Sequence, residues 1–142
     1  MEGRSGLDGI GVVVIGRNEG PDLDRCLRAL PRGAVPVVYV DSGSTDGTPA
    51  LARSLGVDVV DLDPAIPFSA ARGRNEGAAH LLAGRPGVEL LQFVDGDTEV
   101  QPGWLEAGAA TLRRSGALGV ISGRLRERAP EASLFNRACD VE

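Results

Sequence analysis

The chain of 142 residues contains no lysine: all 15 basic residues are arginines. That excludes Schiff-base chemistry on a lysine and a P-loop built around one. There is one histidine, His80, so a multi-histidine metal site or a histidine-based triad has almost no material. Two cysteines, Cys26 and Cys139, are too few and too far apart for a zinc site or a disulfide framework, and a reduced cytoplasmic setting is the default. Aromatic residues make up only 4%, too few for a base-stacking platform along single-stranded nucleic acid. The net charge of −5 disfavours general binding to a phosphate backbone, so nucleic acid is not an expected partner. No apolar run reaches the roughly 18 residues of a membrane span, and Met1 to Gly9 lacks the apolar centre of a signal peptide.

What is present suits one domain of ordinary size. Hydrophobic residues are 42% and charged residues 25%. A chain this long buries roughly two-thirds of its unfolded surface. Twenty glycines exceed the usual share and point to tight turns or close backbone approaches.

Strands and helices alternate along the chain. Ile10–Ile15 is a continuous β-branched run, as in a strand buried on both faces. Leu23, Cys26, Leu27 and Leu30 fall on one helical face behind Pro21. Val35–Val40 predicts a second strand, and Thr48-Pro49 the N-cap and first residue of a second helix. Val57–Val60 reads as a third strand. Ser69–Ala83 reads as a helix, despite Gly73 and Gly77, each costing about 1 kcal/mol relative to alanine. Val88–Val94 is a fourth strand, and Pro102, Trp104, Leu105, Ala109 and Leu112 mark a helix ended by Gly116. Leu118–Ser122 predicts a fifth strand. The order implies an α/β, Rossmann-like fold: a mostly parallel sheet with helices on both faces.

In such sheets ligands bind beyond the carboxyl ends of the strands. The loops there are Gly16–Gly20, Asp41–Gly47, Asp61–Pro67 and Asp95–Thr98, and three of the four begin with an aspartate. Asp95 and Asp97, flanking Gly96, can reach one hard cation such as Mg²⁺ or Mn²⁺; the same residues also suit a polar turn with a capping aspartate. Asp41 can accept from a base N–H or a ribose hydroxyl, while Asp46 caps or fixes its loop, and all the residue types of Asp41–Gly47 are common in turns. Arg72 and Arg74 suit a diphosphate, or else a solvated helical face. His80 reads as a surface or packing-edge residue, Trp104 as a packing anchor or, from its place after the acidic loop, a sugar platform, and Cys26 as part of a helix core face.

Together VVVIGRNEG, VDSGSTDGT, SAARGRNEGA and LLQFVDGDTEVQPGWLE, in that order, resemble the nucleotide-sugar-binding half of glycosyltransferase family 2, with the GT-A fold. The likeness covers Ile10 to about Leu125. It implies a domain over residues 10–125 between an N-terminal tail, 1–9, and a C-terminal tail, 126–142, at the start of an acceptor-binding half. By this resemblance Asp95 and Asp97 are the DXD pair that holds Mn²⁺ or Mg²⁺ on the donor diphosphate, with Asp97 the better direct ligand and Asp95 contacting the donor ribose or the metal. Arg17, Asn18 and Glu19 after the first strand, Asp41 and Ser42 after the second, and Arg74 contact the donor. Two departures stand out. Gly16-Arg17 replaces the proline and hydroxyl or aromatic residue common in the family, and Ser42 replaces the second acid of an Asp-Asp pair that often reads uracil. UDP- and GDP-sugars therefore both remain donors.

The resemblance implies inverting transfer of a sugar to an acceptor hydroxyl, which needs a carboxylate base. Glu127, Glu131, Asp140 and Glu142 offer no convincing candidate, so the chain is expected to be incomplete for catalysis alone. Self-association, or a partner supplying the acceptor half, follows from an apolar face left open. Family members often act at membrane surfaces, so the inner face of a membrane is a second location besides the cytoplasm. Two other readings compete. One is a phosphotransferase of the haloacid dehalogenase type, although Thr98 is one place too early, Glu99 fills the expected position and the required lysine does not exist. The other is a non-catalytic nucleotide-binding module. A dinucleotide dehydrogenase is disfavoured, since Gly16–Gly20 is not a G-x-G-x-x-G turn.

Overall fold

The computed structural model describes residues 5–140. The continuous apolar run forms β1 (Ile10–Gly16), and its alternation divides the core. Val12 and Val14 point to one face of the sheet, Val13 and Ile15 to the other, and all four are buried. Fully burying each such side chain contributes about 1.5–3 kcal/mol. β2 (Val37–Asp41), β3 (Asp58–Asp61) and β4 (Leu90–Asp95) complete an all-parallel sheet in the order β3-β2-β1-β4.

Helices cover both faces. α1 (Pro21–Ala29) starts at Pro21 and buries Leu23, Cys26 and Leu27 against Val12, Val14 and Tyr39. α2 (Thr48–Ser54) and α4 (Trp104–Arg114) add Ala52, Leu105 and Ala109 to that cluster. On the opposite face α3 (Ala70–Gly84) contributes Leu81 to a cluster with Val13, Ile15, Val38 and Val40. The glycines that count against α3 as an isolated helix make its packing possible. A Cβ on Gly77 would stand 2.5 Å from Val13 Cγ1 and 2.7 Å from Val40 Cγ2.

The chain divides into two compact units, the first ending at Ala110 and the second beginning at Thr111 within α4. The second unit holds a 3₁₀ turn (Pro130–Ala132) and α5 (Leu134–Cys139). In it Arg126 donates twice to the Asp140 carboxylate, at 2.7 and 2.8 Å, and the Glu127 N–H adds a third bond. These bonds, the Arg126 pair foremost, hold the Asp140 carboxyl down at about 2. No helix among the described residues is long and apolar enough to cross a membrane.

Two local expectations fail. Leu118–Ser122 is not a strand: it joins no ladder among the described residues, and Val120 is 83% exposed. An apolar run makes a strand only where a neighbouring edge accepts its N–H and C=O groups, and none does so here. Thr48 does not cap α2 either. It lies inside the helix, behind the N-cap Gly47, and its Oγ1 accepts from the Gly20 N–H at 3.0 Å. The Thr48 N–H donates instead to Asp46 Oδ1 at 2.9 Å, so Asp46 takes the loop-fixing role.

Candidate functional site

The strand order creates the site. β2 and β3 lie on one side of β1 and β4 on the other, so the chain reverses direction across the sheet between β1 and β4. Connections then diverge from a crevice outside the carboxyl ends of these two strands, where open α/β sheets bind ligands. Register aligns those ends: Gly16 pairs with Asp41, Asp41 with Asp61, and Ile15 with Asp95.

Glu19, Asp95 and Asp97 converge at this crevice. The Gly96 N–H donates to the Ile15 carbonyl at 2.8 Å, tying the acidic loop to β1. A Cβ on Gly96 would meet Glu19 Cγ at 3.0 Å and the Ile15 carbonyl at 3.2 Å, so the Glu19 side chain lies against the loop between the two aspartates. Burial raises the Glu19 carboxyl above its ordinary value. The Arg17 N–H bond to Oε1 opposes that, and the charges of Asp97, Asp22 and Asp95 reinforce it. Ionised Glu19 is thus destabilising in this crevice, and the sign follows by linkage. Its contribution to stability is fully present below the unfolded-state pKa of about 4.3 and is lost as pH rises through the raised folded value. Glu19→Gln is expected to melt above the unsubstituted protein at pH 7, with the gap closing near pH 4. Thermal melts at both values check this, and a lower melting point at pH 7 contradicts it.

Arg74 closes the crevice from α3, donating from Nη2 to Asp95 Oδ1 at 2.8 Å. Both side chains are well exposed, so the pair adds little stability. Asp97 is exposed, and its hydrogen-bond partner among the described residues is the Thr98 hydroxyl, at 3.5 Å.

The other residues marked by sequence organise the loops. Asp41 is 3% exposed. It accepts from the Tyr39 hydroxyl at 3.0 Å, from the Ser44 N–H at 2.7 Å and from the Ser44 hydroxyl at 2.5 Å. Burial and the Asp41 charge raise the Tyr39 hydroxyl's pKa, so Tyr39 stays a donor. Asn18 adopts a left-handed backbone, φ 56°, which asparagine tolerates better than most residues. Its N–H donates to Ser44 Oγ at 2.9 Å and its Oδ1 accepts from the Thr45 N–H at 2.8 Å. Asn18 therefore staples the first loop to the second. The Ser42 N–H donates to the Gly16 carbonyl at 3.0 Å, joining the same two loops.

Sequence reasoning missed Phe68. Its ring occupies the space beside Gly43, where a Cβ would come within 2.8 Å of it, and the guanidiniums of Arg17 and Arg72 lie over it at 5.8 and 5.9 Å. Gly43 has φ 78°. A single aromatic in a proline-containing loop has no periodic signal, although its rarity in a chain with 4% aromatics is a cue. Trp104 donates to Gln92 Oε1 at 2.8 Å and packs on the core, as an anchor does. His80 is exposed and bonds Asp58 at 2.6 Å.

Cys26 lies under the acidic loop, with Sγ 3.8 Å from the Asp95 carbonyl. Burial, then the charges of Asp97, Glu99, Glu19 and Asp95, push its thiol up to about 12. Cys139 is exposed. In native protein at pH 8 one thiol is expected to react quickly with an aromatic disulfide reagent, and the second only after unfolding. Two fast equivalents contradict this burial.

Among the described residues no cluster of three or more His, Cys, Asp or Glu side chains is arranged to enclose a metal ion. Mg²⁺ does not require such a cage. It is commonly bound by one or two carboxylates plus substrate phosphates. The exposed, oxygen-only pair Asp95 and Asp97 fits that mode.

The family model for glycosyl transferase family 2 matches residues 11–137. The chain belongs to glycosyltransferase family 2. A relative, Glycosyltransferase AglE of Haloferax volcanii, is 30% identical over 122 residues, covering 79% of this chain and 38% of the relative. A TPR repeat-containing protein of Synechococcus elongatus is 36% identical over 70 residues, 49% of this chain and 17% of that protein. The chain thus spans well under half the length of either curated relative. The all-parallel sheet agrees with the GT-A, Rossmann-like fold that family membership implies.

Proposed function

We propose that this domain binds the nucleoside diphosphate of a UDP- or GDP-sugar together with Mn²⁺ or Mg²⁺, for inverting transfer of the sugar to an acceptor hydroxyl. The observation that carries the reading is the convergence of Glu19, Asp95, Asp97 and Arg74 on the crevice between β1 and β4. Asp97, with Asp95 beside it, would hold the cation, which supplies Lewis-acid stabilisation of charge on the departing diphosphate. Arg74 offers its remaining guanidinium donors to phosphate oxygens while keeping Asp95 oriented. Asn18, Asp41 and Ser42 hold the two nucleoside loops in register. The Asp41 carboxylate, with three donors already bound, retains capacity for one more from a ribose or base.

The phosphotransferase alternative is less well supported. Asp95, the residue that would be its nucleophile, is ion-paired to an arginine, and the family match points to sugar transfer. As for the general base, Asp140 is committed to Arg126, Glu131 pairs with Arg137, and Glu127 Oε1 accepts from the Ala129 N–H. Glu142 lies outside the described residues. A base in a partner or in an acceptor-binding half remains part of the proposal, as do self-association and peripheral attachment to the inner face of a membrane. Titration calorimetry with UDP and GDP, each with Mn²⁺, with Mg²⁺ and with a chelator, tests the reading. Binding to at least one nucleotide that disappears with the chelator is expected. Binding to neither, or binding that survives the chelator, overturns it.

A further inference from the structure

The feature that family membership and the acidic crevice leave unexplained is the cluster of Arg17, Phe68 and Arg72. Arg72 is a fixed part of the scaffold. Its side chain is only 13% exposed, Nε bonds Glu76 at 2.7 Å, and Nη1 donates to the carbonyls of Asp63 at 3.0 Å and Ile66 at 2.7 Å. Phe68 is wedged beside Gly43, in the loop that Asp41 organises, and is held by Arg72. Arg17 differs. It is exposed on the first loop, its N–H donates to Glu19, and the contact its guanidinium makes among the described residues is with the Phe68 ring. An arginine so placed has its planar cationic group held near an aromatic ring rather than by a carboxylate.

We propose that Phe68 is a positioning residue that holds the Arg17 guanidinium as a stacking wall for the nucleobase of the donor, beside the loop Asp41–Ser44. This rests on the nucleotide-binding reading above. Bases stack on guanidinium planes as they do on aromatic rings. An unrestrained arginine would lose rotamer entropy on ordering against a base, and Phe68 removes part of that cost by holding the side chain near its bound position. Tyr39 and Trp104 cannot substitute, since each is tied to a core partner, Asp41 and Gln92 respectively. The wall is indifferent to hydrogen-bonding pattern, so it serves uracil and guanine alike and leaves discrimination to the loop edge around Asp41 and Ser42.

The test compares two probes in the presence of Mn²⁺: a nucleoside diphosphate, UDP or GDP, whichever binds tighter, and pyrophosphate, which lacks a base. Arg17→Ala is exposed and carries little folding risk. It is expected to weaken the nucleotide by about tenfold, roughly 1.4 kcal/mol, and to change pyrophosphate by less than twofold. Phe68→Leu should give the same split, Phe68→Tyr should retain wild-type affinity, and Arg17→Lys should fail because an ammonium has no plane. The double variant Arg17→Ala/Phe68→Leu should lose no more than either single change, as expected when one residue acts through the other. Wild-type nucleotide affinity in Arg17→Ala and Phe68→Leu overturns the inference while leaving the nucleotide site intact. Equal losses for nucleotide and pyrophosphate overturn it in favour of a structural role. Failure of the unsubstituted protein to bind either nucleotide overturns the underlying reading, and this inference with it.

Discussion

Asp97→Ala is expected to reduce Mn²⁺-dependent binding of the nucleoside diphosphate by about 100-fold, equivalent to about 2.7 kcal/mol, without unfolding the domain. The two halves of this expectation have separate causes. Asp97 is exposed and, among the described residues, has only a long contact to Thr98, so its removal leaves the core packing untouched. Surface substitutions of this kind usually stay within about 0.5 kcal/mol. Its charge also contributes to raising the Glu19 carboxyl, so its loss relieves a repulsion and the variant should melt at or slightly above the unsubstituted protein at pH 7. Affinity falls because Asp97, of the two aspartates, carries no arginine partner among the described residues. Asp95 has one oxygen engaged by Arg74. Calorimetry with and without chelator, alongside a thermal melt, separates the halves. Chelator-insensitive binding that is unchanged in Asp97→Ala would remove the metal assignment, whereas a large fall in melting temperature would make Asp97 structural.

The elements were legible wherever local pattern and tertiary burial agree. β1 declares itself because both its faces are buried, so every position is apolar. α1 does so because one face alone meets the sheet, at i, i+3 and i+4. Strand order was not legible. Periodicity describes how one strand sits between two layers and says nothing about its neighbours. The crevice between β1 and β4 therefore emerges only from the pairing of Ile15 with Asp95. Thr48 fails as a cap for the same reason: the partner of its hydroxyl, Gly20, lies 28 residues away. Leu118–Ser122 carries strand composition, but composition supplies no ladder partner. At the site, the acids flanking Gly96 were visible from type and spacing. Their relation to Glu19 depends on a glycine contact, and the setting of Phe68 depends on two arginines, one from the first loop and one from α3.

The largest stability effect is expected at Gly77, where helix propensity and packing oppose each other. On propensity alone Gly77→Ala stabilises a helix by about 1 kcal/mol. The new methyl, however, would sit 2.5 Å from Val13 Cγ1 and 2.7 Å from Val40 Cγ2. Both valines are fully buried, β-branched and confined between the sheet and α3, so neither can turn aside cheaply. Overpacking of this kind typically costs about 1–3 kcal/mol. It outweighs the propensity gain, and Gly77→Ala should melt several degrees lower. Gly77→Val adds two more methyls at the same contact and should abolish the cooperative transition. Gly84, at the end of α3, is the control: a Cβ there meets nothing within 4 Å. Gly84→Ala should therefore be neutral or slightly stabilising through the unfolded state. Opposite signs for one substitution at two glycines of one helix isolate packing from propensity, and a Gly77→Ala protein melting at or above the parent would refute the close approach. The approach also matters for the site. Gly73, one turn before Gly77, sets α3 against Ile15, with 3.3 Å from its would-be Cβ to Cγ2, and the next residue is Arg74. A wider gap between α3 and the sheet would carry the Arg74 guanidinium away from Asp95, so Gly73→Val should weaken nucleotide binding as well as the fold.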